Sequence, residues 1–206
     1  MGQHCCETRD FDGTTRGYRQ ALVAVIIINA AMFVVEILGG AWAGSQALKA
    51  DALDFLGDAL TYGLSLWVIG RSLKTRASAA LLKGISLALM GFWVLGSTIW
   101  QVWVLGVPSA GIMGAIGVLA LVANLASVLI LLRYRDGDAN VRSVWLCSRN
   151  DAIGNVAVIG AAVLVSVTAS PWPDLAVAAL MAGLFLKSSV SIIRQSLEEL
   201  RQQPSH

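Results

Sequence analysis

Five acidic residues lie inside long apolar stretches of the chain, where ionised groups are costly. They are Glu36, Asp51, Asp54, Asp58 and Asp151. An ionised carboxylate near the centre of a bilayer costs roughly 2.5 to 3.5 kcal/mol on insertion scales. The acids therefore need protonation, pairing with Lys49 or Arg149, a water-filled mouth or a bound cation. Acids in such positions are candidates for an ion or substrate path.

Two pairs of side chains have the spacing of about one helical turn. Asp54 and Asp58 are four residues apart, and Cys147 and Asp151 repeat that spacing in another apolar stretch. Residues four apart face the same side of a helix. Two such helices can bring four ligands to one point, the number that a tetrahedral ion such as zinc requires. The spacing predicts a metal site of Asp54, Asp58, Cys147 and Asp151, and a bound cation would explain why the acids are tolerated.

The composition is that of a membrane protein. Hydrophobic residues make up 56% of the 206 residues and charged residues only 14%, well below the level of soluble domains. A net charge of +2, with the basic residues in short clusters, excludes a nucleic-acid binder. Three cysteines, two of them adjacent, cannot form a disulfide framework, so thiols are more plausible as ligands.

Apolar stretches of the length needed to cross a bilayer occur six times. We therefore expect an all-α polytopic membrane protein, a bundle of six transmembrane helices. Turns rich in Gly, Pro and Ser, or basic segments, separate the stretches. The predicted spans are Tyr18 to Gly40, Ala47 to Gly70, Ala79 to Leu105, Ile112 to Leu132, Val144 to Val167 and Leu175 to Ile193.

The basic segments all fall on one side of this topology. Clusters of Arg and Lys precede the first span and follow the second, fourth and sixth spans. Short loops with Lys and Arg stay in the cytoplasm, so we expect both termini there. The predicted organisation is a cytoplasmic tail at 1–17, a transmembrane domain at 18–194 and a short cytoplasmic tail at 195–206. The first span contains Glu36, so we expect a helix that is retained and not a cleaved signal peptide. The lack of a targeting segment favours the bacterial inner membrane.

The sequence around these acids resembles the cation diffusion facilitator family of divalent-metal exporters. The resemblance is carried by SQALKADALDFLGDA in the second span and CSRNDAIGNVAVIGA in the fifth. Asn29, Glu36 followed by two glycines, and Asn124 also match positions where that family places polar residues. The resemblance implies a six-helix bundle of the cation-efflux type, exchange of metal for protons, and a homodimer.

The family's four ligands fall on Asp54, Asp58, Cys147 and Asp151. Asp54 stands where the family often has His, and Cys147 stands where His is usual. A thiolate suits zinc or cadmium better than magnesium or calcium. The alternative is that Cys147 is a small buried hydrophobic residue and that water or Asn155 completes the coordination.

These residues predict a secondary active transporter rather than an enzyme, with no cofactor beyond the transported ion. Three carboxylates and a thiolate in a dry site cannot all stay ionised, so the empty site is expected to hold protons that the metal displaces. We expect export of zinc or cadmium from the cytoplasm in exchange for external protons, by alternating access, with a role in metal resistance. The residues after the last span are too few for the family's cytoplasmic domain, which indicates a short member.

Other polar residues have less certain parts in this scheme. Some are expected either to support the ligands or line the ion path, or simply to hydrogen-bond across helices: Asp51, Glu36, Asn29, Asn124 and Asn155. The amino-terminal His4, Cys5 and Cys6 are expected either to capture a soft ion or to belong to an unstructured tail.

Two other function classes are compatible with an intramembrane acid cluster. A magnesium-dependent phosphoalcohol transferase would also use aspartates in apolar helices, but a cysteine ligand suits magnesium poorly and few cations lie near the acids. A metal sensor or scaffold would use the same four residues without transport. A passive channel is disfavoured because a tight site slows release.

Overall fold

The computed structural model describes residues 16–68, 73–104, 106–134 and 139–201, with the side chains of 68, 73, 74, 76 and 139–150 outside that description. Six long α-helices make up almost all of it, which confirms the all-α expectation. In chain order they are α1 (Arg16–Ala43), α2 (Gln46–Val68), α3 (Leu73–Val104), α4 (Ala110–Leu131), α5 (Ala139–Thr168) and α6 (Trp172–Arg201). A single 3-10 turn, Leu132–Tyr134, extends α4.

Among the described residues, five helices are long and apolar enough to cross a membrane by themselves. Only α2 lacks that character, because it carries Lys49, Asp51, Asp54 and Asp58. The six-span prediction is confirmed in helix number and order. The α6 helix continues past Ile193 to Arg201, so the first part of the predicted carboxy-terminal tail is helical.

The polar helix α2 lies at the centre of the bundle and contacts all five other helices. Around it, α3 packs along α6, α1 along α4, and α4 along α5. The first half of α2 is lined with small buried residues, including Ala47, Ala50 and Ala52. Small side chains let helix backbones approach closely, which is how membrane helices gain packing contacts. A helix that could not face lipid is thus enclosed by helices that can.

The connection between α1 and α2 is a tight turn built on glycine. Gly44 has a φ of 69°, in the left-handed region that glycine adopts without strain. The Ser45 amide donates to the Gly40 carbonyl over 3.0 Å, which closes the end of α1. A Cβ atom at Gly40 would lie 3.1 Å from the Lys49 amide nitrogen, so glycine also allows α1 to approach α2.

Tryptophans mark one end of the bundle. Four of them are more than half exposed at the end of α1, the end of α3 and the start of α6: Trp42, Trp100, Trp103 and Trp172. Because the helices alternate in direction, these positions share one end. Tryptophan is enriched where a membrane meets water, so this arrangement fits a bilayer boundary at that end.

Candidate functional site

A cavity of about 570 Å³ opens between α2, α3, α5 and α6. The carboxyls of Asp54, Asp58 and Asp151 line it. From this acid cluster the wall continues along Thr61 and Leu64 of α2 and along Ser188 and Ile192 of α6. The cavity therefore extends toward the end of the bundle where α2 ends and α3 begins, opposite the tryptophans.

The acid cluster, defined as Asp54, Asp58 and Asp151, joins α2 to α5. The Asp151 carboxyl lies within hydrogen-bonding reach of the carboxyls of both Asp54 and Asp58. The fully buried Tyr62, one turn after Asp58, donates its hydroxyl to the Asp58 carboxyl. All three acids are half-buried and thus accessible from the cavity. The structure brings together these three of the four predicted ligands.

The fourth predicted ligand, Cys147, lies on α5 one turn before Asp151, but its side chain is outside the described residues. Among the side chains that are described, no three from His, Cys, Asp and Glu converge closely enough to hold a metal ion. The four-ligand site therefore stays a prediction. The amino-terminal His4, Cys5 and Cys6 likewise fall outside the described part of the chain.

A basic residue that the sequence analysis did not consider faces the acid cluster. Lys83 of α3 lines the same cavity, and its charge acts on both Asp54 and Asp58. The residue stands in an otherwise apolar stretch, and nothing within α3 indicates its partners because they belong to another helix. A lysine inside a predicted span was a signal that could have identified it.

Asp51 belongs to a separate polar chain. The Asn155 amide donates to the Asp51 carboxylate over 2.6 Å, and the Asn124 amide donates to the Asn155 carbonyl oxygen over 2.8 Å. All three residues are at most 2% exposed, and they connect α2, α5 and α4. Asp51, Asn124 and Asn155 thus cross-link helices behind the acid cluster. The Asn155 side chain is committed to both neighbours and does not point to the metal site as a spare ligand.

Glu36 and Asn29, the two polar candidates on α1, differ in their contacts. The Glu36 carboxyl faces that of Asp51. It is 0% exposed, and neither of its oxygens makes a well-oriented hydrogen bond to a described residue. Asn29 is also buried, but its amide donates to the Val25 carbonyl of its own helix over 2.8 Å. Glu36 therefore extends the polar chain of Asp51, whereas the Asn29 amide bonds within α1.

Asp174 holds the start of α2 in place. Its carboxylate accepts hydrogen bonds from the Ser45 hydroxyl at 2.6 Å, the Gln46 amide at 2.8 Å and the Ala47 amide at 3.1 Å. The Ser45 hydroxyl oxygen also accepts from the Leu48 amide. The first amides of a helix have no partner within it, and an anion there is favoured by the helix dipole. An acid of α6 therefore caps the helix that carries two of the cavity acids.

Comparison with known proteins places most of the chain in one family. Residues 22–201 match the family model described as the cation efflux transmembrane domain. The chain is 28% identical over 204 residues to the zinc transporter ZitB of Pectobacterium atrosepticum, with 91% of this chain and 62% of that protein covered.

Two further relatives carry names that mention other metals. The chain is 24% identical to the metal cation efflux system protein CzcD of Cupriavidus metallidurans, covering 89% of this chain and 64% of that protein. It is also 24% identical to a cadmium, cobalt and zinc/H(+)-K(+) antiporter of Bacillus velezensis, covering 88% of this chain and 62% of that protein. The chain spans about three fifths of the length of these relatives.

Proposed function

The chain belongs to the cation efflux family, and from that premise we propose that it exports divalent transition-metal ions, zinc or cadmium foremost, in exchange for protons. The observation that carries the proposal is the meeting of Asp54, Asp58 and Asp151 in one cavity inside an apolar bundle. Clustered acids in such surroundings need protons, hydrogen-bond donors, water or a bound cation, and a divalent ion would meet that need. The names of the relatives support zinc, cadmium and cobalt as candidate substrates.

The direction of the cavity suggests where the metal enters. It extends toward the end at which α2 ends and α3 begins, the end that carries the basic connecting segments. Because short basic loops stay in the cytoplasm, this is the cytoplasmic end. A metal ion entering there meets the acid cluster, displaces its protons and is released after the cavity opens to the other side. The homodimer and the bacterial inner membrane stay predictions.

Transport of metal against protons is the direct test. Vesicles containing the purified chain and a pH-sensitive dye are expected to release protons when zinc or cadmium is added. Asp151→Asn, which preserves the volume but removes one charge of the acid cluster, is expected to slow this flux at least about tenfold. The matched control is Glu198→Gln on the exposed surface of α6, which should transport normally.

The possible results of this assay separate transport from other functions. Flux in the native chain and its loss in Asp151→Asn would support the antiporter. Zinc binding without movement of zinc or protons would contradict the proposal and favour a sensor or scaffold. Equal proton flux in native and Asp151→Asn vesicles would show that transport does not depend on the acid cluster.

We further propose that Cys147 completes the site, because it precedes Asp151 by one turn on the same helix. A thiolate bound to cadmium gives an ultraviolet charge-transfer band that carboxylates do not. The band is expected in the native chain, and Cys147→Ser should abolish it and weaken cadmium binding more than zinc binding. The two other cysteines, Cys5 and Cys6, are replaced by Ser in both proteins. An unchanged spectrum or the absence of any band would show that Cys147 does not ligate.

A further inference from the structure

Lys83 is the sole basic residue among the described residues that line the cavity. It lies on α3, across the cavity from the α2 acids, and its charge acts on both Asp54 and Asp58. The side chain is half-buried, which leaves part of it accessible from the cavity. A lysine in an apolar helix needs water or an anion within reach, and the shared cavity offers Lys83 both.

The backbone of α3 is fixed at this level. The Ser189 hydroxyl of α6 donates to the carbonyl of Gly84, the residue after Lys83, over 2.8 Å. A Cβ atom at Gly84 would lie 2.8 Å from Ile193 Cγ1, so α3 and α6 are in close contact. The α3 helix cannot slide along α6 without breaking this contact. The lysine therefore extends from a part of α3 that is packed tightly against α6.

The charges in the cavity set up a competition. The acid cluster contains three carboxyls, and Lys83 supplies one positive charge against them. A divalent ion placed among the same carboxyls would be repelled by the ammonium, and this repulsion is strong where water is scarce. The lysine side chain has a flexible stem of four carbons, so its ammonium is able to move away from the acids when a metal ion arrives.

We propose that Lys83 is a tethered cation that offsets the charge of the acid cluster when no metal is bound and competes with the metal for it. This inference rests on the proposed function, since it assigns the acid cluster to metal binding. The tethered ammonium stabilises the empty site in the bilayer without a metal ion. It also weakens metal binding, which assists release on the far side, because conduction requires that the ion leave as well as enter.

Zinc affinity in charge variants tests the tethered cation. The dissociation constant of zinc is measured for purified protein in detergent by competition with a chromophoric chelator. Lys83→Met, which keeps the length of the stem without its charge, is expected to bind zinc at least about tenfold more tightly. Lys83→Gln should do the same, and Lys83→Arg should remain near the native value. The matched control is Lys187→Met, an exposed lysine of α6, which should not alter affinity.

A transport measurement separates competition from a purely structural role. Because release is slower from a tighter site, Lys83→Met is expected to have a lower rate at saturating zinc together with half-saturation at lower zinc. Loss of packing would weaken binding instead. Unchanged or weaker zinc affinity in both Lys83→Met and Lys83→Gln, with melting temperatures near native, would overturn the tethered cation.

The same data distinguish failure of this inference from failure of the proposed function. Tighter binding in the Lys83 variants without transport by the native chain would refute the exporter and leave the tethered cation supported. Transport by the native chain, with no gain in zinc affinity in the Lys83 variants, would support the exporter and refute the tethered cation. The absence of zinc binding in the native chain and in both variants would overturn both proposals.

Discussion

The double variant Asp54→Asn/Asp58→Asn is expected to lower zinc affinity by at least about 1,000-fold. A unit charge about 4 Å from another is worth about 4 kcal/mol at an effective dielectric of 20, and a thousandfold change corresponds to about 4 kcal/mol. Because the double variant removes two negative charges from the site of a divalent ion, the thousandfold loss of zinc affinity is a lower bound.

Competition with a chromophoric chelator measures this loss, with Glu198→Gln as the matched control of exposed charge. Asn keeps the volume of each side chain, and its oxygen is still able to accept the Tyr62 hydroxyl at position 58. Melting temperatures should therefore be near native. Zinc affinity within tenfold of native would mean that the metal binds elsewhere in the chain.

The second large effect is expected at Asp174, which takes no part in metal binding. Asp174→Ala should destabilise the bundle by about 2 to 4 kcal/mol, because the Gln46 and Ala47 amides and the Ser45 hydroxyl lose their buried acceptor. Asp174 is 1% exposed, so water does not easily replace it. Unfolding in detergent by increasing SDS, followed by tryptophan fluorescence, would measure the change.

Two related variants check the origin of that loss. Asp174→Asn retains one oxygen acceptor and should have an intermediate effect. Ser45→Ala should cost less than Asp174→Ala, since the carboxylate still accepts from both amides while the Leu48 amide loses its partner. If Asp174→Ala unfolds at the same SDS concentration as the native chain, the Asp174 carboxylate does not stabilise the start of α2.

The helices were predictable because a membrane selects long apolar runs, and all six appear in the structure. Their ends were predicted less well, since a helix is able to continue beyond the bilayer, as α6 does to Arg201. Spacing along α2 predicts that Asp54 and Asp58 share a face, but it does not by itself place Asp151 of α5 beside them.

Contacts between distant segments were not predictable from one sequence. Asp51 was expected either to support the ligands or to hydrogen-bond across helices, and about 60° of rotation separates it from Asp54 around α2. Its partner Asn155 lies more than a hundred positions later, and spacing within α2 does not indicate it. Asp174 follows the segment SPWP, and local sequence does not reveal its partners because they lie more than a hundred positions earlier. Lys83 faces acids on another helix, which no periodicity within α3 reveals.

Because the hydrogen bonds to Asp174 hold the start of α2, a tilt of α2 would turn the helix about Gln46. With a rise of about 1.5 Å per residue, Val68 is about 33 Å from that pivot and Asp54 about 12 Å. A tilt of about 10° that preserves the cap would carry Val68 by about 6 Å, Asp54 by about 2 Å and Asp51 by little more than about 1 Å. The polar chain at Asp51 lies near the pivot and moves least. The largest displacement would occur at the mouth of the cavity, so a small rotation of α2 would change the mouth far more than it would change the polar chain.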